Sequence, residues 1–192
     1  MAYKGMFFKK VKPTSIKEAS WWEEMCVRRQ GGYDLDQSNL PAGLKWLPKG
    51  AVGMLGTGGK AVVIKSAKVT EKAASAAKTV KLSAGSLYKE GDTIGGKKIA
   101  SIVRAESGDT VTLTAGLDAE LAEGAVVTDY DKSKDILLGF AYATKELDPD
   151  AAQVVEPTLR VMEVEEDSLP YPINSDIKEG LNANGIALFK IQ

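Results

Sequence analysis

The residues best spaced for chemistry lie at 53–60, where GMLGTGGK resembles a phosphate-binding loop. Such a loop needs Gly, four residues, then Gly-Lys and Ser or Thr. Its main-chain N–H groups wrap the phosphates and the hydroxyl meets magnesium. Here Met54 stands at the first Gly position and Ala61 at the hydroxyl position. The stretch therefore reads as a hairpin turn. Asp34 and Asp36 open like a calcium loop, but the sixth position is Asn39 instead of Gly and the twelfth is Lys45 instead of Glu. The pairs Asp129/Asp131 and Asp148/Asp150 read as solvated loop acids, because turns favour Asp. Two carboxylates can cleave a glycoside, yet none of the 26 acidic residues is singled out by spacing.

Histidine is absent. It is the commonest general acid/base and metal ligand, so Ser-His-Asp and Cys-His systems and most zinc sites are excluded. Cys26 is the single cysteine. It excludes an intrachain disulfide and a multi-cysteine metal site, and without a neighbouring base it has no activating partner. The reading is a protein that is not an enzyme, with no catalytic residues, no cofactor and no metal.

Trp21, Trp22 and Trp46, with Tyr33, admit two roles: core, or a platform for a partner or a sugar. On one helix, Trp21 and Trp22 would point about 100° apart, so one would face the core while the other meets a partner. Phe7, Phe8, Trp21, Trp22, Arg28 and Arg29 are the candidate partner contacts. The plainer reading of the two arginines is a solvated helix end, where cations suit the dipole.

These residues must be held by a framework. Ser15 to Glu18 has capping-box spacing, which predicts a helix over 16–30 closed by Gly31 and Gly32. Residues 51–55 and 61–65 predict a hairpin. Residues 68–78 read as a loop or weak strand. From Thr79 the apolar residues alternate, with turns at Gly95-Gly96 and around Ser107, Gly108 and Asp109, as in a small barrel or sandwich. An apolar run at 135–142 predicts a buried strand. A short helix follows at 175–181, capped by Ser175 or Asn174, and then a strand at 186–191. The expected fold is mainly β, with small barrel or sandwich modules, one N-terminal helix and a short C-terminal helix. The expected organisation is an N-terminal segment and helix at 1–50, a possible attachment region, then a β-rich domain at 51–192 with a barrel insertion at about 79–130.

Length and charge bound the partners. The 192 residues are 44% apolar and 27% charged, which excludes wholesale disorder. Net charge is -1, which offers no drive towards nucleic acid. No run of about 18 apolar residues spans a membrane, and the opening residues lack the apolar stretch of a signal peptide.

Four stretches resemble phage head-fibre (capsid-decoration) proteins. They are LPAGLKWLPKG at 40–50 with GGKAVVIK at 58–65; VKLSAGSLYKEGDTI at 80–94; IASI at 99–102 with DTVTL at 109–113 and LAEG at 121–124; and LPYPI at 169–173 with NGI at 184–186. The resemblance is one of pattern and covers roughly residues 40–190. It implies a non-enzymatic virion protein on the capsid exterior, assembled in the host bacterial cytoplasm. It further implies a capsid-protein partner and a homo-oligomer, with a trimer favoured by analogy. It supplies no attachment residues. The other binding class is a cell-surface or carbohydrate-binding adhesion module, which exposed Trp or Tyr would serve.

Overall fold

A computed structural model describes residues 16–190, which are mainly β. The expected helix over 16–30 does not form. Residues 19–22 instead run extended beside the strand Thr158–Val164. The Trp22 N–H donates to the Met162 carbonyl at 3.0 Å, and the Glu165 N–H donates to the Ser20 carbonyl at 3.0 Å. A single 3-10 turn, Glu23–Met25, leads to the short strand Val27–Arg28, antiparallel to Thr158–Val164. The physical reason lies in burial. Ala19 and Trp21 are buried while Ser20 and Trp22 are exposed, a period of two that a helix cannot satisfy. A helix of this length is marginal by itself, so main-chain bonds to a neighbouring strand displace it.

The hairpin forms as expected. Val52–Leu55 pairs antiparallel with Ala61–Val63, with Met54 opposite Val62. The fully buried strand Leu137–Phe140 flanks Val52–Leu55 on its other side. Two further antiparallel pairs, Trp46–Leu47 with Lys145–Glu146 and Tyr33–Asp34 with Val154–Val155, lie outside this sheet.

Between Ala61–Val63 and Leu137–Phe140 the chain leaves to build a four-stranded antiparallel sheet. Its order is Thr79–Leu82, Gly108–Leu113, Lys97–Ala105, Thr93–Ile94. Gly95 and Gly96 join the last two with φ of 56° and 76°, as a two-residue primed turn requires. The turn expected around Ser107 to Asp109 is tighter: Gly108 and Asp109 already belong to a strand. Ser66–Lys68 pairs with Val126–Thr128 beside this sheet. The core of this part draws its residues from Ala67 to Val127, Val80, Leu82 and Val111 among them. Of residues 68–78, expected as a loop or weak strand, Lys68 ends the strand Ser66–Lys68 and the rest is a loop with two isolated bridges, at Val69 and Ala73, both buried in this core.

The remaining two cores take residues from both sides of position 50. Ala19 and Trp21 pack with Phe140 and Ile177, and Leu35 and Leu47 pack with Val63 and Leu138. The α-helix Ser175–Ala183 is capped by Asn174, whose side chain accepts from the Ile177 N–H at 2.9 Å. Gly180 interrupts its helix-forming residues for a packing reason: a Cβ there would lie 2.7 Å from Leu137 Cδ1. The helix connects Thr158–Val164 to the parallel strand Ala187–Phe189.

Candidate functional site

The candidate contacts of residues 21–29 separate by burial. Trp21 is 6% exposed, its ring 5.9 Å from that of Phe140, with the Lys49 ammonium 4.2 Å above it. The chain's own core takes this side chain. Trp22 is 44% exposed, and Met25 and Val27 are exposed beside it. The split between the two tryptophans arises from alternation along extended backbone, not from rotation about a helix. Phe7 and Phe8 lie outside the described residues.

Arg28 and Arg29 do not close a helix; each is held by aromatic and polar neighbours. The Arg28 guanidinium lies 4.7 Å from the Tyr142 ring centre and donates to Glu156 at 2.8 Å. The Arg29 guanidinium lies 4.3 Å from the Tyr33 ring centre and donates to the Tyr33 hydroxyl. Stacked guanidinium groups keep their charge facing solvent while losing little freedom on contact with a partner. Val27–Arg28 ends its sheet, with Thr158–Val164 as its one strand neighbour among the described residues. This edge can accept another extended segment.

A groove of about 990 Å³ opens where residues 37–46 face residues 146–149. The half-buried Trp46 lines it with Lys45, Glu146 and Asp148, and the Gln37 amide braces one wall by donating to the Asp148 and Ala151 carbonyls at 3.1 and 2.9 Å. Residues 53–60 build no phosphate cradle: Thr57–Gly59 is the turn of the hairpin, and a strand follows it. Asp36 spends its carboxylate on the Ser38 hydroxyl and N–H, which also holds its pKa low. The Asp148 carboxylate accepts from the Asp150 N–H at 3.0 Å in an exposed loop. Asp131 is held low by hydrogen bonds from Lys134 and Ser133. Burial pushes the Cys26 thiol up. Among the described residues no three acidic or cysteine side chains gather closely enough to hold a metal ion.

Two buried ionic groups escape the sequence pattern. Lys65, 1% exposed, places its ammonium 2.7 Å from both carboxylate oxygens of Asp92. Asp129 accepts the Lys65 main-chain N–H at 2.8 Å; it is no solvated loop acid. Desolvation, stronger than the Lys65 hydrogen bond and charge, pushes its pKa up to about 6. The second group centres on Asp109, 1% exposed, which accepts from the Ser86 hydroxyl at 2.7 Å and from Arg104 at 2.9 Å. A sequence signal existed for neither. Lys65 follows a β-branched run that reads as strand, and Asp92 follows a Gly that reads as turn.

The Asp129 carboxyl gives a pH signature. Its unfolded value is near 3.8 and its folded value near 6, so folding favours the protonated form. Its contribution to stability is present below about pH 4 and is lost as pH rises to about 6. Urea unfolding of the wild type and of Asp129→Asn across this window is expected to show the wild type losing roughly 2–3 kcal/mol relative to the variant. A pH-independent difference would mean that Asp129 binds its proton equally well in the folded and unfolded chain.

No family model, curated protein or solved structure matches this chain.

Proposed function

We propose that this chain is a non-enzymatic structural protein of a phage virion, a head-fibre or decoration protein bound to the capsid exterior. The observation that carries the reading is the edge at 22–29. Three of its residues, Trp22, Met25 and Val27, are large, apolar and exposed within six positions. Two stacked arginines adjoin them, and the sequence ahead of residue 16 holds Phe7 and Phe8 with the four lysines Lys4, Lys9, Lys10 and Lys12. Aromatic anchors with flanking cations suit a desolvated contact with electrostatic steering. The pattern resemblance over 40–190 supplies the partner, a capsid protein, and the location on the virion surface. Short sheets with open edges gain by association, which supports a homo-oligomer, a trimer by analogy.

The test uses heads assembled from the major capsid protein encoded beside this chain's gene. The full chain is expected to co-sediment with them, and a chain lacking residues 1–13 or carrying Trp22→Ala and Val27→Asp is expected to bind at least tenfold more weakly with an unchanged fold. Undiminished binding by both variants, or no capsid gene in the neighbourhood, overturns the reading.

The groove beside Trp46 favours one alternative, a carbohydrate-binding adhesion module. An indole flanked by carboxylates and a lysine suits stacking and hydrogen bonding to a sugar. Retention on a glycan array, lost in Trp46→Ala, would select it.

A further inference from the structure

Lys65 is a lysine with almost no contact with water: its side chain is 2% exposed and that of Asp92 is 15% exposed. Its nitrogen is 2.7 Å from each Asp92 oxygen, which puts it roughly 3 Å from Cγ, close enough for the two atoms to react once the carboxyl group reorients. Forming a bond needs the carboxyl group to tip so that its face, instead of the edge between its two oxygens, meets the nitrogen. Both partners are pinned. Asp129 accepts the Lys65 main-chain N–H at 2.8 Å, the Tyr88 hydroxyl reaches the Lys65 carbonyl at 3.4 Å, and Asp92 also accepts the Lys89 N–H at 2.7 Å. Tyr88 is itself fully buried.

We infer that Lys65 and Asp92 join in a self-formed amide bond, an internal cross-link of the folded chain. In the first step one proton passes from the ammonium to the carboxylate. The amine nitrogen then attacks Cγ, the C–N bond forms, and the C–O bond to the protonated oxygen breaks. A second proton leaves nitrogen with that oxygen, so the products are one amide and one water. No oxidant, cofactor or other reactant enters. The open side of Asp92 gives the water an exit. Lys65 lies just before the strand Ser66–Lys68 and Asp92 just before Thr93–Ile94. The bond would therefore tie the start of the 66–128 segment to its four-stranded sheet and close a loop of 27 residues in sequence separation.

Intact-mass spectrometry of the denatured full chain tests this directly. The wild type is expected roughly 18 Da below its sequence mass, one water, and its tryptic digest is expected to hold one branched peptide containing both Lys65 and Asp92. Lys65→Arg and Asp92→Ala are expected at their full sequence masses and to melt roughly 10 °C lower, as loss of a cross-link of this span implies. Asp92→Asn, able to form the same amide by losing ammonia, is expected to give the wild-type mass. The masses are read on unfolded chains, so a variant that folds poorly leaves the wild-type result decisive. A wild type at its full sequence mass, with separate Lys65 and Asp92 peptides, overturns the proposal.

Discussion

Replacing Asp92 by alanine is expected to cost about 3–5 kcal/mol of unfolding free energy in urea titration. The Lys65 side chain is 2% exposed, so its ammonium would remain buried without its direct counter-charge. The reverse substitution is gentler. In Lys65→Met, Asp92 keeps the Lys89 N–H at 2.7 Å and some contact with water, while the thioether fills most of the vacated volume. That variant is expected to lose only ~1–2 kcal/mol of ionic stabilisation. Combining the two is expected to recover part of the Asp92→Ala loss, because the stranded charge is gone. A covalent Lys65–Asp92 bond would add one further loss common to all three variants, leaving their order intact. Equal stability of Asp92→Ala and wild type would show that Lys65 reaches solvent.

Trp21→Ala and Trp22→Ala are expected to act on different properties although the residues are adjacent. Trp21 fills the core between Phe140 and Lys49, and its removal leaves a cavity that the surrounding strands cannot close. The expected cost is about 3–5 kcal/mol. Its indole N–H finds no hydrogen-bond partner among the described residues, so Trp21→Phe is expected to recover most of that loss. Trp22 is 44% exposed, and Trp22→Ala is expected to change stability by under ~1 kcal/mol while weakening capsid binding. Thermal unfolding and co-sedimentation, run on both variants, separate the two roles. A large stability loss in Trp22→Ala would place that ring in the core and remove it from the proposed contact.

Local signals carried much of the framework. The alternation at Thr79–Leu82 reads directly as one buried and one exposed face, and the structure buries Val80 and Leu82. The hairpin at 51–65 was legible from β-branched runs flanking glycines, and the last helix from the cap that Ser175 or Asn174 offered. Each of these rests on interactions within a few residues, or on a face buried with period two, and such information is written in neighbouring positions. Composition also bounded the chemistry, since a chain without histidine lacks the commonest acid/base and metal ligand.

Long-range partners decided the rest. Capping-box spacing at 15–18 predicts a helix, but the main-chain groups of Ala19, Ser20 and Trp22 are matched by Lys49, Glu165 and Met162, residues far away in sequence. Tertiary main-chain bonds and burial of alternate side chains outweigh a local preference of a few tenths of a kcal/mol per residue. The same holds for the ionic group. Lys65 reads as the end of a strand, and Asp92 and Asp129 look like ordinary surface residues beside turns. Only the folding of residues 66–128 into a sheet returns the chain to its starting point and brings them together. An unpaired charge costs most where water is excluded, and no stretch of sequence states where that will be.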